Sequence, residues 1–171
     1  MFQKFDAARN FYANVDQHGV VRELLHTDAP VATRASAPQL AAAEYLHWYG
    51  GELGLSPQQL QSLGKAASTS LEAASIEYRF NGEKRQFDTA TAAFDQTKLG
   101  LPVWQAGIAV QMLLDPPRIL SAQSTRHPDF EVTRPSDEAV KHAESIDEKE
   151  RARLLGLTEA KALVFSGTPR R

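Results

Sequence analysis

The sequence has no cysteine, which excludes a disulfide framework, a thiolate nucleophile and any zinc site built on cysteine. A cysteine-free chain tolerates oxidising and reducing surroundings alike, so no compartment follows from it. Runs of 18 apolar residues are also missing, so no segment reads as a transmembrane helix. Charge of one sign is not in excess: 19 Lys+Arg against 21 Asp+Glu leave a formal net charge of −2. Such a balance has no broad field to attract phosphates, and the basic pair Arg170-Arg171 is too small a patch. Neither nucleic acid nor a membrane is therefore expected as a partner. The opening Met1-Phe2-Gln3-Lys4-Phe5-Asp6-Ala7-Ala8-Arg9 lacks the basic start, apolar run and small-residue cleavage site of a secretory signal. No internal repeat and no low-complexity segment occurs.

Catalytic patterns are equally scarce. His18, His26, His47, His127 and His142 are scattered, and no two stand four apart with a glutamate between them. Lys141-His142-Ala143-Glu144 has half of that zinc-binding pattern but not the second histidine. Neither a metal nor any cofactor is expected. The G-x-S-x-G elbow of a serine hydrolase is absent, because Ser166-Gly167 has no glycine two residues ahead of the serine. Gly50-Gly51-Glu52-Leu53-Gly54 follows a helical pattern rather than a strand, so it reads as a helix end and not as a phosphate loop. Glu77, Glu83, Asp88 and Asp95 fall in or beside strands, where carboxylates are usually solvated rather than paired for acid-base work. The sequence thus argues against an enzyme.

What is present fits one globular domain, or two small ones packed together. Of 171 residues, 42% are hydrophobic, enough to bury a core without disulfides or a structural metal. Val20 to Leu25 follows the turn signal Asp16-Gln17-His18-Gly19 and reads as a short strand. Asp28 to Arg34 is a loop. Ser36 is placed to cap a helix from Gln39 to Gly50, with Pro38 in its first turn and Tyr45, Trp48 and Tyr49 as core residues. Ser56-Pro57-Gln58-Gln59 opens a second, short helix. From Ile76 the period changes to two, with Ile76, Tyr78 and Phe80 alternating with Glu77 and Arg79. Asn81-Gly82 is a strong hairpin signal; a return strand follows, with a bulge expected near Ala92-Ala93-Phe94. Val103 to Leu114 and Arg118 to Ser124 supply two more strands around Asp115-Pro116-Pro117. A helix from Ser136 to Ser145 and a strand over Ala162 to Phe165 complete the chain. The expected class is α+β: an antiparallel meander of about four strands with helices packed on one face, and a short C-terminal helix-strand segment. A final strand of this kind wants a partner, so 1–171 is expected to be a piece of a longer chain or a natural truncation.

Within the meander, Gln96, Thr97, Gly100, Leu101, Pro102, Val103 and Trp104 form a pattern: a strand ending in Gln-Thr, a Gly-Leu-Pro-Val-aromatic turn, then an alternating strand. Gly100 frees the turn, Pro102 fixes φ where no ladder N–H is needed, and Trp104 is expected to cap the sheet. This segment, 94–110, resembles the motif of the fungalysin/thermolysin propeptide family. An Ala-rich helix and Leu53-Gly54-Leu55 precede it, as in such propeptides, and 136–145 with 162–165 is similar to the first half of a PepSY module. The resemblance implies two parts, a propeptide-like domain with an N-terminal strand at 1–128 and a partial PepSY-like segment at 129–171.

The resemblance further implies a non-catalytic, protein-binding module associated with a zinc metallopeptidase, in cis or in trans, as inhibitor or intramolecular chaperone, in a secreted setting. The alternative is a stand-alone interaction or structural module with the same fold and no peptidase partner.

Overall fold

The structure is a computed structural model that describes residues 2–65, 75–128, 130–133, 135, 136 and 138. Its strands are β1 (Phe2–Asp6), β2 (Phe11–Val15), β3 (Val21–Leu25), β4 (Val31–Ala32), β5 (Ile76–Gln86), β6 (Thr89–Lys98), β7 (Leu101–Leu113) and β8 (Arg118–Ser124). They form a single 8-stranded antiparallel sheet in the order β1-β2-β3-β8-β7-β6-β5, with β4 also paired to β8. Two helices, α1 (Pro38–Tyr49) and α2 (Pro57–Leu60), interrupt the strands between β4 and β5.

The α+β expectation is therefore corrected. Strand accounts for 46% and helix for 14% of the described residues, and the sheet does not stop at four strands. The difference lies in the first third. The aromatic-rich start forms the hairpin β1–β2, in which Phe11, Ala13 and Val15 alternate inward with period two. That hairpin joins β3, and β3 pairs with β8, so the N-terminal strands extend the meander rather than forming a separate element. The loop expected at 28–34 contains β4. The strand expected over 162–165 lies outside the described residues, as do nearly all of the helix expected over 136–145 and of the segment 129–171.

One face of the sheet is a floor of small and branched side chains. Ala13, Leu24, Ala122, Val110 and Ala92 are successive cross-strand partners, and each is buried. α1 packs on this floor over β5, β6 and β7 through Ala41, Ala42, Tyr45 and Leu46. Alanine on both sides lets the helix backbone approach closely, and the larger Tyr78, Phe94 and Met112 fill the space around it. Tyr45 is in the core as expected and Tyr49 is half-buried, but Trp48 is corrected to the outer side of α1, where it is 48% exposed. The N-cap also differs: it is Ala37, without a side-chain bond, not Ser36. Pro38 at the first helical position needs no cap for its missing N–H. The Glu44 carboxylate reaches back to accept the N–H groups of Arg34 and Ala35 at 2.9 and 3.2 Å. At α2, which starts where expected, Ser56 and Gln59 form a reciprocal capping box.

The hairpin turn is corrected as well. Asn81-Gly82 lies within β5; the turn to β6 is at Phe87-Asp88, with Phe87 at φ 55°. A turn at 81–82 would set Phe80 opposite Glu83. The observed register sets Phe80 opposite Phe94, ring centroids 5.8 Å apart in a T-shaped pair facing the core. Apolar pairing thus outweighs turn preference. Asn81 becomes a bulge, its amide donating to Asp95 at 3.0 Å, so the irregularity expected at 92–94 belongs to the partner strand.

The opposite face carries Asn14, Glu23, Gln123, Ala109 and Ala93 as cross-strand partners. Glu23 accepts from Asn14 at 2.6 Å and from Gln123 at 2.9 Å. The two faces should respond differently to the same substitution. Ala92→Leu, beneath α1, is expected to overpack the floor and cost about 1–3 kcal/mol. Ala93→Leu, one residue on and facing away, is expected to stay within about 0.5 kcal/mol of wild type. Urea unfolding of both variants checks this, and equal losses would contradict the assigned faces.

Candidate functional site

All seven motif residues, Gln96, Thr97, Gly100, Leu101, Pro102, Val103 and Trp104, fall on the β6–β7 hairpin. Lys98 pairs with Leu101, leaving a two-residue turn in which Leu99 has φ 56° and Gly100 φ 80°. Positive φ at both positions is the type I′ pattern, whose twist matches that of the flanking strands. Glycine takes this conformation without strain. Leu99 does not, and its side chain, 3% exposed, is held there by burial. Pro102 stands opposite Thr97, inside the strand as expected.

Beyond Pro102 the strands part. Asp95 next pairs with Gly107, so four residues of β7, Val103 to Ala106, stand against the single Gln96 of β6. Gln105, at φ 53°, carries the bend. The bulge turns Val103 and Ala106 inward, where they pack with Leu101, Phe130 and Val132. Trp104 is turned outward. It is 46% exposed, which corrects the expectation that its ring caps the sheet. The bulge closes on Gly107, where a Cβ would strike the Phe94 carbonyl oxygen. Next to it, Ala93, Asp95, Gln105, Gly107, Ala109 and Gln123 border a shallow depression of about 300 Å³.

Gln96 is wholly buried in this gap. Its carboxamide accepts the His127 N–H at 2.9 Å and donates to the His127 carbonyl at 2.8 Å. This pair of bonds is what a neighbouring strand residue would supply, so one side chain fastens the chain after β8 to the hairpin. Phe130 is then placed under the Lys98 ammonium, 5.9 Å from its ring centroid, and against the His127 ring at 6.4 Å. Neither the clamp nor the four-residue bulge is expected from the sequence. Gly107, isolated in an apolar strand pattern, is the one signal that points to a bulge there.

The candidate acid-base residues are engaged otherwise. Glu77 accepts from Lys65 at 2.6 Å and from the buried Arg79 at 2.8 Å. Burial pushes its carboxyl up, but the bonds and charges of Lys65 and Arg79 outweigh this and hold it below the ordinary value. Glu83 pairs with Arg85, Asp95 accepts from Asn81, and Asp88 is exposed in the β5–β6 turn. The histidines stay apart: His18 is in the β2–β3 turn, His26 is buried after β3, His47 is on α1, His127 is in the clamp, and His142 lies outside the described residues. Among the described residues no three His, Asp or Glu side chains are grouped to hold a metal ion.

Gln96→Ala should remove both bonds and leave the His127 N–H and carbonyl without partners, at a cost of about 2–3 kcal/mol in urea unfolding. The His127 amide should then exchange faster than its neighbours in β7. Unchanged stability and unchanged exchange would contradict the clamp. Comparison with family models, with curated proteins and with solved structures finds no match for this chain in any of the three.

Proposed function

We propose that this chain is a non-catalytic binding module, similar to the propeptides of fungalysin and thermolysin, that engages a zinc metallopeptidase to inhibit it or to assist its folding. The observation that carries this reading is Trp104. A large aromatic ring stands 46% exposed on a hairpin whose other motif residues are used in the turn, the strand pairing or the small cluster around Val103. Large aromatics, tryptophan above all, are the usual anchors of protein interfaces, and the adjoining depression offers a partner a second point of contact. The hairpin is pinned by Gln96 and shaped by the Leu99-Gly100 turn, so the ring is presented on a rigid support rather than on a loose loop.

Trp104→Ala tests the reading. Its thermal midpoint should lie close to that of wild type, since the ring stands outside both buried clusters. Binding to a purified thermolysin-type peptidase should weaken by about 30-fold or more, the equivalent of about 2 kcal/mol for an interface anchor. Wild type that neither binds nor inhibits such a peptidase would favour the stand-alone interaction module instead. A variant that melts far below wild type would make Trp104 a structural residue and remove the basis of the reading.

A further inference from the structure

His26 follows β3 directly and is locked from two sides. Its backbone N–H donates to the Leu120 carbonyl at 2.8 Å, which fixes the chain to β8. Its ring, 1% exposed, is inserted between the sheet and α1. Nε2 lies 2.8 Å from the Tyr45 hydroxyl, and the ring meets Tyr45, Tyr49 and Phe11 with centroids 5.5, 5.0 and 5.8 Å away. Nδ1 is buried and has no hydrogen-bond partner.

This surrounding suits a neutral imidazole and no other form. Neutral, the ring exchanges one bond with Tyr45 and leaves Nδ1 either as a bare lone pair or as a single N–H. Protonated, it carries two N–H groups and a charge, and only one of them has an oxygen within reach. The ionisable groups that face it are the phenols of Tyr45 and Tyr49, both on α1. β2 offers the Phe11 ring, and β8 offers a carbonyl that the backbone N–H already occupies. Burial, and after it Tyr49, pushes the Tyr45 phenol up, so it cannot supply an anion. Aromatic faces offset part of a cation's lost hydration, but they do not replace the missing acceptor.

We infer that His26 is an acid-sensitive latch: a proton taken from solvent onto its ring breaks the fit between the end of β3 and α1 and releases the helix from the sheet. The inference does not rest on the proposed peptidase partner. Its direction follows from linkage. Burial lowers the His26 affinity for a proton in the folded protein, so the released state binds the proton more tightly. Docking of α1 is then complete above about pH 6.5, the value of a free imidazole, and is lost progressively as pH falls below it.

Amide exchange in the wild-type protein, corrected for the intrinsic rate, gives the test. Between pH 7.5 and 5.5 the protection of α1 amides from Ala41 to Leu46 should fall several-fold more than that of Ala92 and Val110 in the sheet, with a ceiling of about tenfold because pH 5.5 lies about one unit below the value of a free imidazole. In the double variant His26→Phe/Tyr45→Phe, which removes both polar partners together, this extra loss should disappear. Equal losses in helix and sheet, or an undiminished loss in the double variant, would overturn the latch. Should the double variant not fold, the ring nitrogens of His26 in the wild type decide. Protonation with a midpoint at or above about 6.5 while α1 stays protected overturns the latch, and a midpoint below it that coincides with loss of α1 protection supports it.

Discussion

The close approach of α1 to a floor of small side chains is the constraint on which the rest of the molecule depends. Ala41 and Ala42 on the helix face a sheet whose central row includes Ala13, Ala92 and Ala122. Nothing long fits between the two layers there, so the bulky residues are displaced to the periphery: Tyr78 and Phe94 toward β5, Phe11, His26 and Tyr45 toward β2 and β3. Each position in the row is the cross-strand partner of the next, so moving one strand by a single residue would turn its side chain to the other face. The helix therefore constrains the register of the whole row of strands beneath it.

That dependence explains which parts of the fold are legible in the sequence. The period-two alternation of Ile76, Tyr78 and Phe80 and of Ile108, Val110 and Met112 is visible because a half-buried strand must alternate. Asn81-Gly82 misleads because a turn signal is local, whereas the Phe80–Phe94 contact that overrides it is not. The first hairpin escapes notice for a different reason. Phe2 and Phe5 are about half exposed, so β1 has no inward stripe to read, and β2 is only five residues long. The α+β expectation fails at that point and not in the middle of the chain.

At the candidate site the sequence pattern marks the right hairpin and misjudges its shape. A glycine and a proline at fixed places announce a turn and a strand entry, and both are found there. Whether the tryptophan after them points in or out depends on a four-residue bulge, and the bulge exists because Gln96 finds its partner in His127, 31 residues away. No local rule carries that information. The same holds for His26: a lone histidine after a strand has no periodicity to mark it, and its character comes from rings contributed by α1 and β2.

The pairing of β3 with β8 has a kinetic side. Glu23 and Gln123 share a hydrogen bond across 100 residues of chain, so β3 is synthesised long before the neighbour it pairs with in β8. Contacts of such separation require closing a long loop before they return any stabilisation, which makes them late events in folding. The strands from β5 to β8 are sequential hairpins and suffer no such delay. The two halves of the sheet, β1 to β3 and β5 to β8, can each form from local hairpins, and Leu24 waits for its cross-strand partner Ala122 until β8 is present to join them.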